Sequence, residues 1–193
     1  PLASPFQGSN AGNREVFVAK LTDGPLVLTP SAATVSPKGS QGFVASDGEG
    51  GYAFSLATNA SGGSINASSG AYNAGPTGSV TDVVEVTDSD GNTATANVTV
   101  GPPVVISPAA PTVPPKGSLT FGASGGSGAG YEWSLSKNLS GASLEAKTGV
   151  SAAGATGAVV DAVAVTDSLG NAASVNVSVG GGLAITPASP TIP

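Results

Sequence analysis

Three oxygen-bearing side chains, Asp88, Asp90 and Asn92, alternate around Gly91 in a short polar segment of the chain. Alternate oxygen ligands in a tight turn are able to converge on one hard cation, and a calcium-binding loop begins with this spacing. A matching later segment has Leu169 in the place of Asp90, and neither segment has the glutamate that completes an EF-hand. Turn chemistry explains the same residues, because Asp accepts backbone N–H groups and Gly-Asn adopts positive φ. We expect a structural turn, with weak calcium binding at Asp88, Asp90 and Asn92 as the alternative.

The aromatic side chains form a second candidate site, a face on which sugar rings would stack. Two matching segments, 52–54 and 131–133, each carry a Tyr followed two residues later by Phe or Trp. We expect these rings to fill the core, because they are among the few large residues available to a small domain. Tyr72 has no aromatic counterpart, since Ser151 takes its place, and it is therefore the candidate for an exposed binding contact.

The residue types that the chain lacks exclude most enzyme chemistry. The 193 residues include no His and no Cys. The usual general base, a Ser-His-Asp arrangement and thiolate metal sites are therefore excluded. The glycines lie in turn-like contexts, not in a phosphate-cradling loop before a helix. We predict that the chain is not an enzyme and has no resident cofactor, calcium being the one alternative.

Charge and hydropathy exclude two classes of partner. The net charge is −6, and the six basic residues are scattered along the chain. A surface of this sign repels the phosphate backbone of nucleic acids. No segment approaches the roughly 20 apolar residues of a membrane-spanning helix. We predict no nucleic-acid partner and no insertion into a membrane.

An internal repeat divides the chain. The Lys-Gly-Ser triplet at 38–40 recurs at 116–118, and the match extends to Gly101 and Gly180. One inserted residue falls in a glycine-rich stretch, 47–51 against 125–130, where a loop lengthens easily. The predicted organisation is a preceding domain's end or an ordered tail at 1–24, domains at 25–101 and 102–180, and the first strand of a third repeat at 181–193.

Within each copy, apolar and small polar residues alternate with the period of a β-strand. The clearest run is 80–86, where Val80, Asp82, Val84 and Val86 share one face. About seven short strands in a unit near 80 residues is the pattern of a two-sheet sandwich, and no segment reads as a helix. We predict an all-β chain in which the face shared by residues 52, 54 and 56 lies at the centre of the core.

Three motifs recur in both copies. They are Gly-Tyr-x-Phe/Trp-Ser-Leu, Thr/Ser-Gly-Ala/Val, and Val-x-Val-Thr-Asp-Ser-x-Gly-Asn, which Ala-x-Val-x-Val follows in the first copy. In these elements the chain from Leu26 to Gly180 resembles the bacterial immunoglobulin-like (cadherin-like) domains that occur in tandem in surface proteins. The resemblance implies tandem immunoglobulin-like β-sandwiches without a disulfide, outside the cell or at its surface, used for display or adhesion. Separately, residues 5–7 and 12–21 resemble one unit of a bacterial β-propeller repeat; the end of a preceding sandwich or an ordered tail is the alternative.

Each copy also carries a lysine, an acid and an asparagine in the layout that forms a Lys-Asn isopeptide bond in some surface sandwiches. The aspartate of each copy lies among inward-facing valines, and a buried carboxylate requires a hydrogen-bonding or charged partner. Simple capping of an exposed Pro-Lys-Gly-Ser turn by the lysine is the favoured alternative. The candidate residues are Lys38, Asp82 and Asn97 in the first copy and Lys116, Asp161 and Asn176 in the second.

The function that follows is a non-catalytic structural or adhesive stalk or fibre module of a bacterial cell-surface or secreted protein. The partners we expect are other copies of the chain, neighbouring repeats, surface polysaccharide or a host cell-surface protein. The alternative is a carbohydrate-binding accessory module of a secreted enzyme. Gly101-Pro102-Pro103 predicts a stiff linker, whereas the three glycines at 180–182 predict a hinge.

Overall fold

The computed structural model describes residues 24–183, which form eighteen β-strands and no helix. The first nine are β1 (Val27–Thr29), β2 (Ala32–Val35), β3 (Ser40–Gly42), β4 (Val44–Ser46), β5 (Ala53–Thr58), β6 (Ser64–Ile65), β7 (Ala71–Asn73), β8 (Val80–Thr87) and β9 (Thr93–Val100). The second nine are β10 (Val105–Ser107), β11 (Thr112–Val113), β12 (Ser118–Thr120), β13 (Gly122–Ser124), β14 (Glu132–Lys137), β15 (Ser143–Leu144), β16 (Val150–Ala152), β17 (Val159–Thr166) and β18 (Ala172–Val179). The β-propeller resemblance and nearly all of the predicted third repeat lie outside the described residues.

The strands form two immunoglobulin-like sandwiches of identical topology. In the first, one layer has the order β2-β9-β8-β5, and the other is built from the two-stranded sheet β1-β4 and the three-stranded sheet β3-β7-β6. All pairings are antiparallel except that of β2 with β9. In the second sandwich, β10–β18 repeat this order strand for strand. The prediction of an all-β, immunoglobulin-like β-sandwich fold is confirmed.

The opening segment of each copy divides between the two layers. β1 pairs with β4 on one side, and β2 then crosses to pair with β9 on the other. Proline favours this crossing. It has no backbone N–H to donate, so it ends the hydrogen-bond ladder between the first strand and its partner. Phe43 similarly separates β3 from β4, and its N–H donates to Gly70 O at 3.0 Å.

The core of each sandwich follows from the alternation seen in the sequence. Val84 and Val86 on β8 and Val98 and Val100 on β9 are fully buried, while the residues between them face outward or are half-buried. Phe54 on β5 joins this cluster, with Tyr52 and Leu56 packed against it on the same face. Trp133 takes the place of Phe54 in the second sandwich. The predicted core face of residues 52, 54 and 56 is therefore confirmed.

The three-residue strands β7 and β16 each lie in the middle of a three-stranded sheet. They are too short to show a period of their own. β7 is held by its partners, because it pairs with both β3 and β6.

Each sandwich has two distinct ends. The head carries the β8–β9 turn and the glycine-rich loop, residues 47–51 and 88–92 in the first sandwich and 125–130 and 167–171 in the second. The tail carries the Pro-Lys-Gly turn, residues 36–39 and 114–117. Because β2 and β9 run parallel, with Val35 opposite Val100, the turn that follows β2 lies at the opposite end of β9 from the head.

Candidate functional site

A buried carboxylate lies at the same place in each sandwich. Asp82 projects inward from β8 and is fully buried. It accepts hydrogen bonds from Ser61 N at 2.8 Å, Ser61 Oγ at 2.5 Å and Tyr72 Oη at 2.5 Å. Burial raises the pKa of Asp82, but the hydrogen bonds from Ser61 and Tyr72 outweigh that effect and hold the pKa below its ordinary value.

The prediction that Tyr72 is an exposed binding contact is wrong. Its side chain is fully buried on β7, and its ring meets Phe43 edge to face at 6.4 Å. Burial and the hydrogen bond to Asp82 raise the pKa of Tyr72 to about 12. Tyr72 therefore acts inside the core, where it joins β7 to β8 through Asp82.

The second sandwich keeps the aspartate but not the tyrosine. Asp161 accepts hydrogen bonds from Leu139 N at 2.6 Å, Ser140 N at 2.9 Å and Ser140 Oγ at 2.5 Å. Ser151 stands where Tyr72 does, and a cavity of about 10 Å³ is lined by Ser151, Asp161 and neighbouring apolar side chains. This volume is at the lower limit of what holds one water molecule.

Removal of the Tyr72 hydroxyl is expected to destabilise the first sandwich. Tyr72→Phe leaves a fully buried carboxylate one donor short, and we expect the free energy of unfolding to fall by about 2 kcal/mol. Tyr52→Phe is the matched control, because the Tyr52 hydroxyl donates to Asp47 O at 2.6 Å at an exposed site. Urea unfolding measures both variants. Equal losses in the two would show that the Asp82 contact is no stronger than a surface hydrogen bond.

The residues proposed for an isopeptide bond are not brought together. Asp82 lies opposite Val98 in the β8–β9 ladder, whereas Asn97 lies opposite Val83 and is exposed on the other face of the sheet. Lys38 donates to Gly170 O of the second sandwich instead. The second copy shows the same separation, because Asp161 is buried whereas Asn176 and Lys116 are exposed. An acid inside the core is unable to assist a bond on the outer face.

The head turn of the first sandwich is organised by Asp88. The Asp88 carboxylate accepts from Asp90 N at 3.0 Å, Asn92 N at 2.9 Å, Asn92 Nδ2 at 2.9 Å and Glu49 N at 3.2 Å. The hydrogen bond from the Asn92 side chain is the main cause that lowers the pKa of Asp88. Asp167 is held in the same way in the second sandwich. Within residues 24–183 there is no group of three or more acidic side chains that could hold a metal ion. This geometry favours turn chemistry.

Calcium is accordingly expected to leave the protein unchanged. Four N–H donors already occupy the Asp88 carboxylate, and binding of a cation would require that cap to open. We expect the melting temperature to be the same in millimolar calcium and in chelator. A calcium-dependent rise that Asp90→Asn abolishes would establish the weak site instead.

Acid is expected to weaken both sandwiches. The pKa values of Asp82, Asp161 and Asp167 are all lowered in the folded protein, that of Asp167 from 3.8 to about 2. A lowered pKa contributes stability above its unfolded value, and that stability is lost as pH falls through the folded value. Denaturant midpoints should therefore be constant near neutral pH and fall between about pH 4 and about pH 2. Asp167→Asn should flatten this dependence for the second sandwich.

The head of the second sandwich is in contact with the tail of the first. Asn171 Nδ2 donates to Pro37 O at 2.9 Å, and Lys38 Nζ donates to Gly170 O. Asn171 is 6% exposed, whereas its counterpart Asn92 is exposed. We call this contact the junction.

The linker is fixed at both sides of the junction. Gly101 donates to Val35 O at 2.8 Å and accepts from Ser79 N at 2.9 Å, both in the first sandwich. Pro102 O accepts from Gly126 N of the second sandwich at 2.9 Å. The linker therefore has hydrogen bonds to both sandwiches, in addition to the restricted backbone of two prolines.

The aromatic rings offer no stacking platform within residues 24–183. Phe43, Phe54, Tyr72, Phe121 and Trp133 are buried. Tyr52 and Tyr131 are half-buried, and each donates its hydroxyl to a carbonyl of the adjacent glycine-rich loop. The rings serve the core and the head loops.

Sequence reasoning missed Ser61, Ser140 and Asn171. A signal for the serines was present, because Asn-x-Ser-Gly recurs at 59–62 and 138–141. In both copies the asparagine caps the loop, Asn59 accepting from Gly63 N at 2.7 Å and Asn138 from Ala142 N at 2.7 Å. Asn171 gives no such signal, because its partner Pro37 is 134 residues away.

No protein-family model and no curated protein matches the chain. Among solved structures, the C-terminal 282-residue fragment of intimin, in complex with the intimin-binding domain of the translocated intimin receptor, aligns at 16% identity and a TM-score of 0.42, over 82% of this chain and 64% of that one. Extracellular cadherin domains 3–6 of protocadherin gamma B2 align at 18% identity and a TM-score of 0.35, over 83% and 52%. The human desmocollin-1 ectodomain aligns at 15% identity and a TM-score of 0.40, over 86% and 38%. The chain spans less than two thirds of each of these structures.

Proposed function

We propose that this chain is a non-catalytic spacer and adhesive module of a bacterial cell-surface or secreted protein, and that it works outside the cell. The observation that supports this most directly is the junction. Two sandwiches held tail to head by Asn171 and Lys38, with a linker hydrogen-bonded to both, form a unit suited to hold a distal segment at a fixed distance.

The chemistry of the polar groups supports the non-catalytic part of the proposal. The two candidate acids of the predicted isopeptide sites, Asp82 and Asp161, are buried inside their sandwiches. Their oxygens accept hydrogen bonds from serine, tyrosine and backbone donors that belong to the same core. These contacts give both aspartates a structural task. Residues 24–183 contain no helix long and apolar enough to cross a membrane.

Solution scattering on the full chain tests the spacer. At low concentration we expect an elongated monomer with a maximum dimension roughly twice that of one sandwich. A compact particle, with the sandwiches folded side by side, would contradict the proposal.

Adhesion requires a separate measurement. Beads coated with the full chain should retain cell-surface proteins in preference to polysaccharides, because the described aromatic rings are covered. Saturable retention of a polysaccharide, with none of protein, would favour the carbohydrate-binding alternative.

A further inference from the structure

The tail turn of the second sandwich is built like the one that makes the junction. Lys116 has φ 62° and Lys38 has φ 59°. Lys116 N donates to Gly154 O at 2.9 Å, and Lys38 N donates to Gly75 O at 3.0 Å. Both turns close with a hydrogen bond from the glycine that follows, and both lysine side chains are exposed. The second sandwich thus presents the same Pro-Lys-Gly turn at its own tail.

The head turn of the first sandwich is likewise built like the one that receives this turn. Asn92 Nδ2 donates to Asp88 Oδ2 at 2.9 Å, as Asn171 Nδ2 does to Asp167 Oδ2 at 2.9 Å. Gly91 and Gly170 both have positive φ, 86° and 74°. Asn171 additionally donates to Pro37 O, and an amide nitrogen with two N–H groups makes both bonds. Asn92 has the same amide in the same turn, at the protein surface.

Net charge favours the same pairing, because the Lys116 turn is cationic and the Asp88–Asn92 turn is anionic.

We propose that a second copy of this chain docks end to end on the first, with the Lys116 turn of one copy bound to the Asp88–Asn92 turn of the other. In this contact Asn92 Nδ2 donates to Pro115 O, and Lys116 Nζ donates to Gly91 O. The proposal deepens the proposed function and rests on it, because end-to-end docking extends a spacer into a fibre.

The symmetry of this contact makes a specific prediction. The two surfaces are different, so the interface is head to tail and does not close on itself. After each docking step the assembly still has one head and one tail that are not docked to another copy. The average mass should therefore rise continuously with concentration instead of stopping at a dimer. Two hydrogen bonds without a covalent linker give a weak contact, for which millimolar protein is the appropriate range.

Sedimentation of the full chain up to millimolar concentration, at physiological salt, tests the proposal. Lys116→Gln should abolish the rise in mass, because it removes the charge and leaves the turn. Asn92→Ala should do the same from the other end. Asp90→Arg leaves the donors that cap Asp88 in place and puts a positive charge beside the docking lysine. It is the variant to use if Asn92→Ala loosens the turn. Lys147→Gln and Asn97→Ala, which alter an exposed lysine and an exposed asparagine outside the two docking turns, are the controls and should associate normally.

A mixture gives the decisive result. Lys116→Gln retains a working head, and Asn92→Ala retains a working tail. Neither variant should associate alone, but together they should form a one-to-one dimer and nothing larger. A flat mass for the unchanged chain, or no dimer in a mixture of two folded variants, overturns the proposal. An elongated monomer in the scattering experiment would still support the spacer in that case. Failure of end-to-end docking is therefore distinguishable from failure of the proposed function.

Discussion

Asp82→Ala is expected to unfold the first sandwich at a denaturant concentration that leaves the second intact. The substitution deprives Ser61 N, Ser61 Oγ and Tyr72 Oη of their buried acceptor. Each orphaned donor destabilises by about 1–3 kcal/mol, and we expect a total loss of about 3–5 kcal/mol. The effect is large because the site is fully buried, so the three donors lose a charged acceptor at a place that bulk solvent does not reach.

The single Trp makes this loss assignable. Trp133 lies in the core of the second sandwich, so its fluorescence reports that sandwich alone. In Asp82→Ala, circular dichroism should show an early transition that Trp133 fluorescence does not follow. Asp82→Asn, which keeps one acceptor oxygen, should lose less. Coincident transitions in Asp82→Ala would mean that the two sandwiches unfold as one unit.

The core was predictable because its pattern is local. The valines of β8 alternate with polar residues along one strand, and a period of two fixes which face is buried before any partner is known. The same pattern placed Asp82 inside and raised the question of its partner. The answer lies in a loop, at Ser61, and in the three-residue strand β7, neither of which has a period to recognise.

The misassignment of Tyr72 has a physical reason. Its lack of an aromatic counterpart suggested an exposed side chain. The position is buried in both sandwiches. In the first it is filled by the Tyr72 ring, and in the second Ser151 lies there beside a small cavity. Comparison of the two repeat sequences shows which positions differ, but not whether a differing side chain lies in the core or at the surface.

Loosening of the junction is the second large effect that we expect. Lys38→Ala with Asn171→Ala removes both hydrogen bonds between the first tail and the second head. The two sandwiches should then reorient independently, held only by the linker. Residual dipolar couplings measure this: the unchanged chain should give one alignment tensor for both sandwiches, and the double variant should give two.

Equivalent substitutions in the head of the first sandwich and the tail of the second provide the control. Lys116→Ala with Asn92→Ala changes the same residue types in the same turns, and it disturbs the Asp88 cap as Asn171→Ala disturbs that of Asp167. At low concentration this control should keep a single tensor. A single tensor in the Lys38 and Asn171 variant as well would mean that Gly101-Pro102-Pro103 alone fixes the orientation.

The parallel pairing of β2 with β9 bears on how the chain responds to tension. The chain enters the first sandwich at the head and leaves it at the tail, after β9. A pull on the two ends therefore draws β2 toward the head and β9 toward the tail, along the strands. The ladder from Ala32–Asn97 to Val35–Val100 is then loaded in shear, so that its hydrogen bonds must break together and not one after another. The same geometry recurs where β11 pairs with β18, although over only two residue pairs, so the second sandwich should yield at the lower force.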